Sequence, residues 1–195
     1  TKQLLTPAMS NAKLVLVAVA DGSEEIETVC ITDTLVRAGA TVVIASVMGS
    51  CSVTMARGLQ VTANKLIDEC KGMAFDAIAL PGGMPGAKHL SENATLAELL
   101  KKQVSDGKWT AAVCASPAIV LAAHGLLPPS ATCFPAPPLK EKVPGWTDER
   151  VVVDGCVITS QGPGTSLQFA LKIVEKLYSK EKAEELAKAL LTTTA

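Results

Sequence analysis

The chain has 195 residues, 48% of them hydrophobic and 19% charged, which is long and apolar enough for one substantial buried core. Lys and Arg number 18 and Asp and Glu 19, so the formal net charge is -1, and only 3% of residues are aromatic. Without a basic run or a surface of stacking aromatic side chains, the composition argues against specific nucleic-acid binding.

A strand and a helix are the first two predicted elements. Residues 13–20 form a continuous apolar run, which is typical of a strand covered on both faces. Residues 21–40 then change to helical character, and we expect Ser23 to be the N-cap and Gly39 to end the helix.

Strands and helices continue to alternate along the chain, which predicts a single-domain α/β sandwich of flavodoxin-like type. Its sheet should be mainly parallel, with helices on both faces. The further predicted elements are a strand at 41–47, a hairpin at 51–63, a strand and glycine turn at 75–83, a helix at 93–107, a strand at 109–113, a helix at 116–124, a proline-rich connection at 126–145, two strands at 150–160, and closing helices at 165–179 and 180–191.

One domain is expected over residues 13–195, because no internal repeat or linker interrupts the alternation. Residues 1–12 are interpreted as an N-terminal extension. Met9-Ser10 resembles a natural start, so residues 1–8 would be a cloning remnant or a flexible tail.

The six cysteines are dispersed and form no C-x-x-C pair, a pattern typical of neither a disulfide framework nor a zinc site. A reducing, cytoplasmic location therefore fits best. No apolar segment reaches the roughly 20 residues that a membrane-spanning helix needs, and no signal-peptide pattern opens the chain. We expect neither a metal nor a membrane partner.

Three turns become candidates for a site, because ligands of parallel α/β sheets bind at the carboxyl ends of the strands. These turns are Ala20–Ser23, Pro81–Gly86 and Cys114–Pro117. Cys114 could be a small core side chain. It could equally be a nucleophile whose thiolate is favoured by the N-terminus of the following helix. From these residues alone both interpretations stay open.

Four sequence blocks stand out for their order and separation. They are GSEEIETV, LPGGMPGA, AAVCASPA and TSQGPGTS. Together they resemble the ThiJ/PfpI superfamily, which is class I glutamine amidotransferase-like. Within it they are similar to the parkinsonism-associated deglycase and YajL-like subfamily, and the resemblance extends over about residues 13–190.

The resemblance implies that Cys114 is the reactive nucleophile and that Glu27 is a protonated acid hydrogen-bonded to its thiolate. A carboxyl group beside a thiolate shares one proton with it, which supplies a general acid and base. The neighbouring Glu24 and Glu25 are interpreted as solvated acids at the helix start.

Backbone groups of the glycine turn are implied as further parts of the site. Gly82 and Gly83 would form the tight turn, and the N–H groups of Gly83 and Ala115 would stabilise an oxyanion.

A rigid loop and two arginines are implied as pocket residues. The resemblance assigns the loop to Gly162, Pro163 and Gly164, which would leave room for small substrates only. Arg37 and Arg57 match family arginines near a dimer-facing edge of the pocket, although helix-end and surface roles also explain them.

Proteolysis is doubtful, because superfamily proteases carry a histidine directly after the nucleophile and this chain has Ala115 there. His124 follows Cys114 by ten residues on the predicted helix, about 15 Å away, and His89 is interpreted as a surface residue. Some family members have a histidine where this chain has Phe134.

The enzyme hypothesis is a glutathione-independent glyoxalase or deglycase that acts on small α-oxoaldehydes such as methylglyoxal, or on their early adducts, without a metal or organic cofactor. The alternative is a redox-sensing chaperone whose Cys114 oxidises to sulfinate. The third hypothesis is a protein that keeps the fold but whose site neither catalyses a reaction nor oxidises selectively.

A homodimer is expected to pair through the first helix, as in the relatives, with the pocket near the interface. Symmetric contact would bring Arg37 of one subunit near Arg57 of the other. The predicted helix carries a wide apolar face, formed by Ile26, Val29, Cys30, Ile31, Leu35 and Val36.

Overall fold

A seven-stranded sheet runs through the molecule in a computed structural model that describes residues 12–195. The expected N-terminal extension therefore lies outside the described residues, apart from its last position. Within these described residues there are nine strands, namely β1 Leu14–Val19, β2 Thr41–Ser46, β3 Ser52–Thr54, β4 Gln60–Thr62, β5 Lys65–Leu66, β6 Ala77–Leu80, β7 Trp109–Val113, β8 Val151–Asp154 and β9 Val157–Ser160.

The large sheet has the strand order β5-β2-β1-β6-β7-β9-β8. Every neighbouring pair is parallel except β8 with β9, which form an antiparallel hairpin at one edge. Strands β3 and β4 form a separate two-stranded hairpin. The predicted α/β architecture, with a mainly parallel sheet, is confirmed.

From residue 12 onward the chain forms six α-helices, most of which pack on the two faces of the sheet. None of the helices in this part of the chain is long and apolar enough to cross a membrane. The six helices are α1 Glu25–Arg37, α2 Gly86–Glu92, α3 Ala94–Ser105, α4 Pro137–Lys140, α5 Ser166–Leu177 and α6 Lys180–Ala189.

Two apolar clusters fill the space between the sheet and its helices, and β1 contributes to both. Its residues Val15, Val17 and Val19 pack in the cluster that includes side chains of α1, α5 and α6. The alternate residues Leu16 and Ala18 pack in the cluster that includes side chains of α2 and α3. This division explains why the strand is a continuous apolar run, since both of its faces are buried.

The start of α1 differs from the sequence-based prediction. Ser23 is not the N-cap: it is fully buried, and its Oγ accepts a hydrogen bond from the N–H of Ala20 at 3.0 Å. The N-cap is Glu24, whose Oε2 accepts from the N–H of Glu27 at 2.8 Å. The first turn of the helix is thus fixed by a carboxylate.

The segment after β7 also differs from the predicted helix at 116–124. It is a π-helical turn at Pro117–Leu121 followed by a 3-10 turn at Ala122–His124.

The helix α2 at Gly86–Glu92 was not predicted, because its sequence begins inside the glycine turn and has no apolar periodicity of its own.

Backbone contacts lock together the turns after β1 and β6. The N–H of Glu24 donates to the carbonyl of Gly82 at 3.0 Å. Gly22 has a φ of 80°, and a Cβ added there would lie 2.5 Å from Cδ of Pro85. The two turns approach so closely that only glycine fits, which fixes α1 against the end of β6.

Candidate active site

Cys114 directly follows β7, and it has an unusual backbone conformation. Its φ is 63°, a left-handed value that residues other than glycine adopt rarely. The N–H of Cys114 donates to the carbonyl of Ser160 at 3.0 Å, and its carbonyl accepts from the N–H of Phe134 at 2.8 Å. These two bonds hold the backbone in the strained conformation while the side chain lines a surface cavity.

Two backbone N–H groups reach the sulfur of Cys114. They belong to Gly83, in the turn after β6, and to Ala115, the next residue in the chain. Both donors lower the pKa of the thiol. The structure thus brings together the two amides to which the family resemblance assigned an oxyanion-binding role.

Glu27 lies on the first turn of α1 and is completely buried. Its Oε2 accepts a hydrogen bond from the N–H of Gly82 at 2.6 Å. Its Oε1 is buried without a hydrogen-bond partner of regular geometry among residues 12–195. The Cys114 side chain is near enough to the carboxyl group for a hydrogen bond between them to affect both pKa values.

Burial raises the pKa of both members of this pair. Desolvation brings the pKa of Glu27 to about 7, against the opposing effects of the Gly82 N–H and the Cys114 side chain. The pKa of Cys114 rises to about 12 because of desolvation, and then because of the negative charge and hydrogen bond of Glu27. The pair therefore keeps at least one proton at neutral pH.

The structure does not support the prediction that a helix N-terminus lowers the pKa of Cys114. The residue precedes the π-helical turn that begins at Pro117, and the N–H groups of Gly83 and Ala115 are outweighed by burial. The single shared proton can lie on the sulfur or on Glu27. The carboxylate form of Glu27 can accept the thiol proton when the sulfur attacks an electrophile.

Glu24 and Glu25 are not the solvated acids that the sequence suggested. Glu24 is only 8% exposed, caps α1 and lines the cavity. Glu25 is half-buried, and its Oε1 accepts a hydrogen bond from the backbone N–H of Arg57. The acids of this turn therefore have structural partners, and Glu24 adds a negative charge that raises the pKa of Glu27.

The cavity beside Cys114 has a volume of about 410 Å³. Four of its residues were predicted from sequence besides the nucleophile, namely Arg57, Gly83, Ala115 and Pro163. The larger apolar side chains were not predicted as site residues, and they come partly from the proline-rich connection, which carries no motif. The full lining comprises Glu24, Ala56, Arg57, Gly83, Met84, Cys114, Ala115, Phe134, Ala136, Leu139 and Pro163.

The remaining predicted pocket residues do not line this cavity. Gly82 lies behind it, where a Cβ would be 2.6 Å from Cβ of Cys114. Gly162 lies against the Phe134 ring, and the carbonyl of Gly164 accepts from Arg150.

Arg37 is at the other end of α1 from Glu27. Its Nε lies 2.6 Å from Oδ2 of Asp33, and about half of its side chain is exposed. A place for Arg37 at the pocket therefore depends on a second copy of the chain.

Neither histidine lines the cavity in the described part of the chain. The Nε2 atom of His124 lies 3.0 Å from the carbonyl oxygen of Ser91. Within residues 12–195, no group of three His, Cys, Asp or Glu side chains could hold a metal ion.

Comparisons with known proteins agree on one family. A family model described as the DJ-1/PfpI family matches residues 13–176. Protein DJ-1 homolog B of Arabidopsis thaliana is 48% identical over 91% of this chain and 41% of its own length, so the chain spans less than half of that relative.

Two further relatives match along nearly their whole length. The Caenorhabditis elegans protein named glutathione-independent glyoxalase DJR-1.2 is 40% identical over 94% of this chain and 97% of its own. The solved structure described as oxidized Toxoplasma gondii DJ-1 has a TM-score of 0.90 and 46% identity, covering 93% of this chain and 100% of its own.

The raised pKa of Glu27 makes the stability of the protein depend on pH. Because the folded state binds this proton more tightly than the unfolded state, stability falls as pH rises from about 4.5 to about 7. Glu27→Gln keeps an acceptor for Gly82 but cannot ionise. We expect the stability of this variant relative to the parent to rise by about 3 kcal/mol between about pH 5 and about pH 8.

Urea unfolding at the two pH values measures this difference. Glu98→Gln, at an exposed position of α3, is the control and should show the same relative stability at both. A Glu27→Gln difference that does not change with pH would contradict a neutral, buried Glu27.

Proposed function

The chain belongs to the DJ-1/PfpI family, and on that premise we propose that it is a stress-protective enzyme that converts small α-oxoaldehydes to hydroxy acids without glutathione. Methylglyoxal and its early adducts on proteins or nucleotides are the proposed substrates. The observation that carries the proposal is the Cys114 sulfur, which lies beside buried Glu27 and two backbone N–H groups. The name of the C. elegans relative supports the same activity.

The first chemical step is attack of the Cys114 sulfur on the aldehyde carbon. The thiol proton passes to Glu27, and a carbon–sulfur bond forms as the carbonyl π bond opens. The N–H groups of Gly83 and Ala115 would then stabilise the developing oxyanion. Protonation of that oxygen by Glu27 gives a hemithioacetal.

The second part is an internal redox step that needs no external oxidant. Glu27 removes the proton from the former aldehyde carbon to give an enediol, and later returns a proton to the neighbouring carbon. The hydroxyl proton of the first carbon passes to the oxygen of the second, so the first carbon is oxidised to a carbonyl and the second is reduced to an alcohol. The product is a thioester of the hydroxy acid with Cys114. Water cleaves this thioester, which releases the acid and restores the thiol.

Removal of the nucleophile tests the proposal. Cys114→Ser should reduce lactate formation from methylglyoxal at least about a thousandfold, because an alcohol beside Glu27 is a far weaker nucleophile than a thiol. Lactate is measured directly, so that simple loss of the aldehyde by adduct formation is not counted. Cys156→Ser, at a half-buried cysteine outside the cavity, is the control, and undiminished turnover by Cys114→Ser would exclude the mechanism.

Redox sensing is the second candidate function, with the oxidised protein acting as a chaperone. Two equivalents of peroxide would convert the Cys114 sulfur to sulfinate, with water as the by-product. The Gly83 and Ala115 N–H groups and a protonated Glu27 could hydrogen-bond the sulfinate oxygens. The Toxoplasma neighbour described as oxidized supports this candidate.

Intact mass and peptide mapping after mild peroxide treatment test this candidate. We expect a gain of two oxygens at Cys114 before any other cysteine reacts, because its side chain lines the open cavity beside Glu27, which can accept the thiol proton. Cys70 and Cys133, by contrast, are buried away from peroxide. The Cys114→Ser protein should lack this gain. Earlier oxidation at another cysteine would contradict the redox role.

A homodimer that pairs through α1 is proposed for the active form. The outward face of this helix exposes Ile26, Val29 and Val36, which are 54%, 50% and 57% accessible. A symmetric contact would cover these side chains and bring Arg37 of one copy toward the Arg57 side of the other. The pocket would then lie at the edge of the interface.

Light scattering at micromolar concentration tests the dimer. The protein should have about twice the chain mass of 20.2 kDa, and Val29→Asp should shift it toward one chain because a carboxylate would be buried in the contact. Val153→Asp, at an exposed position of β8, is the control and should leave the mass unchanged. A mass near one chain for the parent protein would refute the dimer.

A further inference from the structure

The cavity beside Cys114 is larger than a three-carbon aldehyde requires. Its volume of about 410 Å³ falls in the range of about 300–1,000 Å³ that is typical of pockets for drug-sized ligands. The rigid loop was expected to leave room for small substrates only. Open volume therefore remains beyond the reacting atoms, with room for a larger substituent on the aldehyde.

The walls of this extra volume are apolar. Two charged residues, Glu24 and Arg57, line the cavity. Its large apolar side chains are those of Met84, Phe134 and Leu139. Met84 and Phe134 are 56% and 43% exposed, so much of their apolar surface faces open space. Covering such surface with an apolar ligand group is favourable, and an aromatic group adds ring contacts.

The position of Phe134 is fixed relative to the nucleophile. Its N–H donates to the carbonyl of Cys114 at 2.8 Å, and its carbonyl accepts from the N–H of Ala136 at 2.8 Å. The ring lies against the backbone of Gly162, since a Cβ on that glycine would be 3.4 Å from Cδ2 of the ring. A substrate bound to the sulfur would therefore meet this ring in a defined place.

We propose that Phe134, together with Met84 and Leu139, forms a subsite for an aromatic substituent, so that the enzyme selects aryl-substituted α-oxoaldehydes over methylglyoxal. This inference rests on the proposed function. Phe134 is the specificity-determining residue, because it is the aromatic side chain of the cavity and is anchored to the backbone of Cys114.

Paired kinetics with phenylglyoxal and methylglyoxal test the subsite. Intrinsic reactivity differs between the two aldehydes, so the decisive quantity is how a variant changes the ratio of their kcat/KM values. Phe134→Ala should lower the phenylglyoxal to methylglyoxal ratio about tenfold, and Phe134→Leu should lower it less. Val153→Ala, at an exposed apolar residue of β8, should leave the ratio unchanged. An unchanged ratio in both Phe134 variants would overturn the proposal.

Measuring product binding tests the aromatic subsite independently of the proposed catalytic activity. In the Cys114→Ser protein, titration followed by NMR should show that mandelate, the aromatic hydroxy acid, binds about tenfold more tightly than lactate. Adding Phe134→Leu to this protein should weaken the binding of mandelate and leave the binding of lactate unchanged. If neither aldehyde is turned over but mandelate still binds in this way, the glyoxalase function fails and the subsite stands. Equal binding of the two acids, or no effect of Phe134→Leu, would overturn the subsite.

Discussion

Gly82 connects the acid to the nucleophile, and the rest of the site depends on its two backbone hydrogen bonds. Its N–H donates to Oε2 of Glu27 at 2.6 Å, and its carbonyl accepts from the N–H of Glu24 at 3.0 Å. A Cβ at this position would lie 2.6 Å from Cβ of Cys114. Because a residue without a side chain separates α1 from β7, the carboxyl group and the sulfur can approach each other. Backbone geometry, which is stiffer than side-chain geometry, thus sets their separation.

Burial gives this pair its chemistry and also makes it costly. Glu27 is fully buried and Cys114 is half-buried, so an isolated charge on either group would be poorly solvated. One shared proton keeps the pair at a single negative charge, and the amides of Gly83 and Ala115 contact that charge where it lies on sulfur. The site is therefore reactive because it is desolvated, and the sheet and α1 must hold it together against that cost.

The sequence predicted the parts of the molecule that have local signals. Strands buried on both faces are continuous apolar runs, and the glycine turn and Cys114 belong to motifs. The choice of Glu24 over Ser23 as the cap was not predictable, since serine is the commoner N-cap residue and only the folded turn directs the Ser23 hydroxyl to the N–H of Ala20 instead. The raised pKa of Cys114 and the cavity wall at Phe134 arise from contacts between distant segments, which no local pattern encodes.

The left-handed backbone of Cys114 restricts which nucleophiles this fold can carry. At a φ of 63°, a β-branched side chain would clash with its own backbone, whereas an unbranched one is tolerated at a modest cost. Threonine is therefore excluded by conformation before its chemistry is considered. Cysteine and serine remain, and of the two the cysteine thiol is by far the stronger acid and gives up its proton to a carboxylate at the lower cost. The backbone conformation at this turn therefore limits which nucleophilic side chains, and with them which reactions, proteins of this fold can use at this position.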